Sequence, residues 1–246
     1  MRALLAAGLL LLLAIGTGHA AERSPAPVLT RYRLGLLYRL PNLEPVGKAR
    51  AESLQAGHMA NIRRMGDLGV MLAAGPFGDN TPLRGIFVFT GDETVALDPL
   101  LALDPLLSLK RLRLELHGWM APVGIGQDYR RRVDEAKQRG ETVRDSMVNY
   151  TMVLLRRGPQ WTSNLPPSVA RTLKKQRDYA ERLRREGRLI FESAVEGGGD
   201  LRGMYLFRAD TTETRRLMVA DPAVRAGRFQ PEIHPWWVGY GVIPGH

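Results

Sequence analysis

Two short segments of the chain carry Glu, His and Trp at alternate positions: Glu115, His117, Trp119 and again Glu232, His234, Trp236. On a strand, alternation puts all three side chains of a set on one face. A carboxylate two residues from an imidazole can serve as an acid–base couple or as part of a metal site. Duplicated Trp and His also suit interface packing, and no third ligand stands at metal-binding spacing, which favours packing. A further histidine, His58, falls on the apolar face of a helical stretch, where a polar ring needs a hydrogen-bond partner. It is either a buried histidine satisfied by backbone or a base held by a carboxylate. Asp104, just before Pro105, is the candidate carboxylate; beside His58 it would fix the ring's tautomer and raise its basicity. Alone, an Asp-Pro step does no more than stabilise a turn. Asp67 is a rival partner, but its position, roughly 900° of helical rotation from His58, puts it on the opposite face.

The elements that hold these residues come in two copies. Asp104-Pro105, Glu115, His117 and Trp119 recur as Asp221-Pro222, Glu232, His234 and Trp236, each 117 residues on (221 − 104). Upstream, Tyr32, Arg39, Gly69, Leu83-Arg84-Gly85 and Phe89 recur as Tyr150, Arg157, Gly187, Leu201-Arg202-Gly203 and Phe207, each 118 residues on (150 − 32). Self-similarity of this kind decides the architecture. Two copies of this size are too few for a solenoid, so each is expected to be a small domain with its own core.

Each copy reads as β-α-β-β-α-β, the ferredoxin-like order. In the first, strands are expected near 32–38, 70–74, 84–89 and 111–119. A helix over about 49–68 carries Leu54, His58, Ile62 and Met65 on one face. A second helix is expected from a cap at Asp92 to about Leu103, kinked or broken by Pro99. The second copy repeats the plan with strands at 150–156, 189–195, 203–207 and 229–238, and with Gln176 on the helix face where His58 stands in the first. The third strand of each copy is apolar on both sides, so the sheet face that its own helices leave bare needs a partner, and the other copy can supply it. The fold class is therefore α+β: two ferredoxin-like βαββαβ repeats forming an intramolecular pseudo-dimeric α/β barrel, with the sheets packed face to face. Because the repeats pair with each other, a monomer is expected. The boundaries are 1–20 for a signal peptide, 21–30 for a leader, 31–122 and 149–246 for the repeats, and 123–148 for a charged, solvated helical connector.

The first twenty residues, Arg2 followed by an apolar run and then Gly18-His19-Ala20, read as a secretory signal cleaved after Ala20, which implies a periplasmic or secreted protein. The run is too short to span a membrane. With no cysteine in the chain, disulfides, a lipid-modified cysteine and thiolate metal sites are excluded. The net charge of +10 is ascribed to solubility, and no aromatic-interleaved basic motif suggests nucleic acid. No Gly-x-Ser-x-Gly elbow, phosphate loop or dinucleotide fingerprint is present, and no cofactor or metal is expected. Trp161, Trp237 and Tyr240 are candidates for an aromatic pocket or for core.

Both copies resemble the YCII-related domain family of dimeric α/β-barrel proteins, on the following residues. His58, Gly69 and Leu72-Ala73-Ala74-Gly75-Pro76 match the family's His…Gly…Ala-Gly-Pro pattern, and Asp221-Pro222-Ala223-Val224-Arg225-Ala226-Gly227 matches its Asp-Pro signature. The resemblance implies a His–Asp pair with an enzymatic role, and one member type eliminates chloride from a chlorinated hydroquinone. Carried over, the pair is His58 and Asp104. The second copy keeps Asp221 but has Gln176 for the histidine, and Ser193-Ala194-Val195 is read in place of Ala-Gly-Pro. One complete site is thus expected, with Asp221, Gln176, Glu115, His117, Glu232, His234, Trp119 and Trp236 as secondary or pocket residues. A His–Asp base suffices for substrates already activated, so the chemistry implied is elimination or isomerisation of a small cyclic or aromatic compound without a cofactor. The alternative is a non-catalytic module on the same fold that binds a small ligand or the cell envelope.

Overall fold

The computed structural model describes residues 27–143, 146–197 and 199–245. The signal reading of 1–20 lies outside the described residues. In chain order the elements are β1 (Leu29–Arg39), α1 (Lys48–Asp67), β2 (Met71–Pro76), β3 (Leu83–Thr90), α2 (Asp98–Leu101), α3 (Pro105–Ser108), β4 (Leu112–Pro122), α4 (Gln127–Gln138), β5 (Met147–Arg157), α5 (Pro167–Arg185), β6 (Leu189–Val195), β7 (Leu201–Phe207), α6 (Thr211–Ala220), α7 (Pro222–Arg225) and β8 (Phe229–Gly239).

The strands form one sheet in the order β2-β3-β1-β4-β6-β7-β5-β8. Each half has the antiparallel ferredoxin-like order, with the first strand between the third and the fourth. The expected face-to-face pair of sheets is thus corrected in one respect: the halves also join edge to edge. Trp119 and Met120 of β4 pair with Val195 and Ala194 of β6. At the other seam Phe77 bridges Trp236, and the Gly78 amide donates to the Pro235 carbonyl at 2.8 Å. Joining both edges rolls the sheet into a nearly closed barrel, which leaves few strand edges unpaired.

Alternation along the strands divides the side chains into three buried groups. Tyr32, Leu34, Leu36, Ile86, Val88 and Trp119 meet Tyr150, Met152, Leu154, Met204, Leu206 and Trp236 inside the barrel. The opposite faces pack under the helices of each half, as Leu37, Met65, Phe87 and Phe89 do in the first and Val153, Leu183, Tyr205 and Phe207 in the second. The two-sided apolar character of the third strands follows: one face meets the partner half and the other meets helices.

Gly75 sits at the β2–β8 seam. A Cβ there would lie 2.2 Å from the Trp237 carbonyl oxygen and 2.5 Å from Trp236 Nε1. Neither can yield without opening the seam, so Gly75→Ala should destabilise the protein by about 1–3 kcal/mol. An unchanged thermal unfolding midpoint would show that the seam has slack.

Several expected boundaries shift. The leader ends earlier than residue 30, because Leu29 and Thr30 pair with Pro122 and Ala121. Likewise β5 begins at Met147, inside the segment assigned to the connector. The helix expected from Asp92 does not form there. The Asp92 carboxylate instead closes a turn on the Thr94 amide at 2.9 Å, and Pro99 sits in the first turn of the four-residue α2, which begins at Asp98. The connector is helical, as its i,i+4 charges imply, but it is not simply solvated. Ala136 of α4 is buried, and Arg132 donates to the Tyr240 carbonyl at 2.9 Å. No described helix is long and apolar enough to cross a membrane.

Candidate functional site

His58 lies on the buried face of α1 together with Leu54, Asn61 and Met65. Its Nδ1 is 2.6 Å from Asp104 Oδ2, and the Asp104 side chain is fully buried. The other carboxylate oxygen, Oδ1, accepts from the Leu106 amide at 2.9 Å and so caps α3. Pro105 occupies the first turn of α3, where its fixed φ and missing N–H cost nothing. The two elements approach closely at Gly57, where a Cβ would come 2.8 Å from Pro105 Cγ. A side chain at 57 would hold α1 away from α3 and His58 away from Asp104. Asp67, the rival carboxylate, instead pairs with Lys137 at 3.9 Å.

The His58 ring stacks on Phe87, with centroids 5.9 Å apart and planes 26° from parallel, and it forms part of the wall of a cavity of about 990 Å³. Leu37, Ile62, Met71 and Phe87 give the cavity apolar walls, and α4 closes one side through Tyr129 and Val133. Asp104 takes Nδ1, and among the described residues Nε2 has no hydrogen-bond partner. The arrangement offers one ring nitrogen to the cavity and holds the other on a carboxylate. It can abstract a proton or donate a lone pair to an electrophile or a metal.

The second repeat has the same frame without the base. Asp221 Oδ1 accepts from the amides of Ala223 and Val224 at 2.8 and 3.1 Å, as a cap for α7. Gln176 Nε2 lies 3.5 Å from Asp221 Oδ2, at the limit of a hydrogen bond. Where the first repeat stacks Phe87 on its histidine, the second has Tyr205, whose hydroxyl interacts with both Gln176 and Asp221. Burial raises the Asp221 carboxyl above its usual range, and it pushes the Tyr205 hydroxyl up, with the Asp221 charge adding to it. An amide and a hydroxyl have taken the histidine's place, and neither is a base at neutral pH. The strand register also corrects one alignment. Gly75 pairs with Ile86 as Ser193 pairs with Met204, so Glu192-Ser193-Ala194 stands opposite Ala-Gly-Pro, rather than Ser193-Ala194-Val195.

Glu115, His117, Glu232 and His234 all face the barrel interior and are not part of the His58 cavity wall. There they join residues from both repeats. Arg156 donates to Glu232 at 2.8 Å and to the Tyr38 hydroxyl at 2.8 Å. His234, 1% exposed, places Nδ1 at 2.7 Å from Asp79 Oδ2, with Nε2 at 3.1 Å from Glu232 Oε1 but poorly aligned with it. Phe77 stacks on the same ring at 4.5 Å. The His234 imidazolium beside Glu232 holds that carboxyl down to about 2, with Arg156 assisting. Burial opposes charge on His234, yet Glu232 and Asp79 together raise it. Burial lowers the pKa of His117, and among the described residues its Nε2 has no hydrogen-bond partner, with Glu115 3.9 Å away. Two near-identical Glu-His pairs thus differ in use: one is locked across the repeats, the other is not. Among the described residues no cluster of three or more His, Asp or Glu side chains is arranged to hold a metal ion.

Trp119 and Trp236 line the two seams. Trp119 Nε1 donates to Ser193 Oγ at 2.8 Å, whereas Trp236 Nε1 faces Gly75, the position equivalent to Ser193, and has no acceptor among the described residues. Trp161, Trp237 and Tyr240 do not converge on one aromatic pocket. Trp161 packs on Phe229 at the start of β8, while Trp237 and Tyr240 are half-exposed at its end. Sequence reasoning missed Asp79, Tyr38 and Arg156, because loop and cross-repeat partners leave no periodic signal.

No family model matches the chain, and no curated protein matches it. Solved structures do. A putative chlorite dismutase is 13% identical with a TM-score of 0.50, covering 85% of this chain and 93% of that one. A chlorite dismutase variant from Candidatus Nitrospira defluvii is 10% identical with a TM-score of 0.51, covering 88% and 94%. A heme-binding protein from Thermus thermophilus is 16% identical with a TM-score of 0.47, covering 87% and 92%. At these identities the likeness is one of fold: the chain has the architecture of the dimeric α/β barrels, with both ferredoxin-like repeats in one polypeptide.

Proposed function

We propose that the first repeat is a YCII-like, cofactor-free lyase or isomerase, in which His58 acts as general base on a small activated cyclic or aromatic compound. The observation that carries this reading is the 2.6 Å contact of His58 Nδ1 with the buried Asp104, on the wall of a cavity that leaves Nε2 unpartnered. Asp104 holds the proton on Nδ1, so the Nε2 lone pair takes a proton from the carbon next to a carbonyl. The electron pair of that C–H bond then forms a double bond and expels a leaving group, such as chloride, from the neighbouring carbon. The imidazolium returns its proton to water. The second repeat supplies the barrel wall and no base. The apolar run within 1–20 supports export to the periplasm or beyond, and two repeats clasped in one chain support a monomer.

The test is a panel of chlorinated hydroquinones and cyclic ketones, followed by chloride release and by proton exchange in deuterated water. His58→Ala should reduce turnover by about 10²- to 10⁴-fold, the usual worth of a general base. Full turnover in that variant would remove His58 from the mechanism.

A second reading is favoured by the same ring. A histidine with Nδ1 on a carboxylate and Nε2 free, beside a large apolar cavity, would also suit a protein ligand to a haem iron. His58 would hold the iron, and Arg39, Arg84 and Arg111 could meet the propionates; the haem would supply redox chemistry. Hemin titration decides between the two. A Soret band that shifts with the parent protein and not with His58→Ala supports haem, and no shift supports the base alone.

A further inference from the structure

Three arginines recur between the repeats in register. Arg39, Arg84 and Arg111 correspond to Arg157, Arg202 and Arg228: Arg39 pairs with Leu112 as Arg157 pairs with Phe229, and Arg84 follows Leu83 as Arg202 follows Leu201. All three lie at the same end of their half, because β1 ends where β3 and β4 begin. Three guanidiniums gathered at one place repel each other, so something must offset their charge.

In the second repeat an indole does so. Trp161 has Arg228, Arg202 and Arg157 at 4.3, 5.0 and 5.3 Å from its ring. Arg228 is 6% exposed, and among the described residues its Nε, like that of Arg202, has no acceptor, although Arg228 also donates to the Thr162 carbonyl at 3.0 Å. The aromatic face thus occupies the space that an anion would otherwise fill.

In the first repeat the position of Trp161 is Leu43, which has no such face, and Leu43, Arg39, Arg84 and Arg111 all line the His58 cavity. Arg84 donates to the carbonyls of Asp79 and Thr81 at 2.8 and 3.3 Å, and Arg111 to that of Glu44 at 3.1 Å. Among the described residues none of the three forms an ion pair. The cavity also contains Arg63, Arg130 and Lys137, against the carboxylates of Asp67 and Asp134.

We infer that Arg39, Arg84 and Arg111 form an anion-binding end of the His58 cavity, so that its ligand is a small organic acid held by a carboxylate or phosphate, with its apolar body directed along the cavity. This rests on the cavity being the ligand site and names the substrate class for it. Guanidinium forks suit both anions, since each offers paired oxygens. The second repeat is the same site closed by its own tryptophan.

Calorimetric titration of the full chain with benzoate, phenyl phosphate and the neutral isostere benzamide tests the assignment. One of the two anions should bind at least about tenfold more tightly than benzamide, a difference of about 1.4 kcal/mol, and which one it is identifies the head group. Arg39→Gln, at an exposed residue whose side chain makes no hydrogen bond among the described residues, should remove that preference. Leu43→Trp should remove it too, by rebuilding the stack of the second repeat without touching an arginine. Trp161→Leu should add a second anion site. Benzamide binding as well as both anions do, or neither anion binding at millimolar concentration, overturns the proposal, as does an anion preference that survives both Arg39→Gln and Leu43→Trp. His58→Ala separates this from the catalytic reading. Retained anion preference with full turnover means that the base assignment fails alone, whereas His58-dependent turnover without any anion preference means that the arginine site fails alone.

Discussion

Asp104→Asn is expected to lower turnover on any substrate of the His58 site by about 10²- to 10⁴-fold, with little loss of stability. The asymmetry comes from the two carboxylate oxygens having separate tasks. Oδ1 caps α3 through the Leu106 amide, and an asparagine oxygen can do the same. Oδ2 faces His58 Nδ1 at 2.6 Å, and there asparagine presents an NH2 group. A donor facing Nδ1 drives the ring's proton to Nε2, which removes the lone pair from the cavity side. The fall should therefore appear in kcat more than in KM, and the pH profile should lose the limb belonging to the base. Asp104→Glu, which keeps the acceptor but lengthens the arm, should recover part of the rate. Equal turnover in Asp104→Asn and the parent would show that the carboxylate does no more than cap the helix.

The second large effect concerns the clasp between the repeats. Asp79 belongs to the turn between β2 and β3 of the first half, and it holds His234 of the second half at 2.7 Å in a site where the ring is 1% exposed. Removing one partner of a buried pair typically costs about 3–5 kcal/mol. Asp79 keeps 24% of its side chain in solvent, which discounts that range to about 2–3 kcal/mol for Asp79→Ala. The same cluster sets a pH window. His234 is raised above 6.5, so its contribution is complete below that value and is lost as pH rises through the folded value. Glu232 is lowered from 4.5 to about 2, so its contribution is complete above 4.5 and is lost as pH falls towards about 2. Thermal stability should be greatest between those two limits, 4.5 and 6.5. In Asp79→Ala the decline on the alkaline side should be shallower, since one of the carboxylates that raise His234 is gone. Parallel melting profiles in parent and variant, from the acid side of this window to the alkaline side, would mean that the pair contributes nothing to the clasp.

Two glutamate–histidine pairs identical in sequence illustrate how far a chain can be read. Their duplication, their strand setting and their common face were legible, because the period-2 alternation of a strand is a local property. That His234 would be gripped by Asp79 while His117 would not was illegible, because Asp79 has no partner at the duplication offset and meets His234 only when the barrel closes. The three arginine pairs are a middle case. Their register is visible as a repeat, but only the tertiary structure distinguishes a set stacked on Trp161 from a set opening into a cavity.

The sequence by itself determined the duplication, the ferredoxin-like order of each half, the helix face bearing His58, and Asp104 as its partner over Asp67. The first three follow from spacing along one element or from comparing one copy with the other; the Asp104 pairing is what the family resemblance implied, with helical rotation setting Asp67 aside. Only the tertiary structure decided that the sheets share strand edges as well as faces, that α4 forms a wall of the cavity, and where the connector and leader give way to strand. Those outcomes depend on which edges are left unpaired once each half has folded, and on volumes enclosed between elements distant in the chain. Backbone hydrogen bonding at an exposed sheet edge is indifferent to side-chain identity, so no residue pattern announces which edge it will meet.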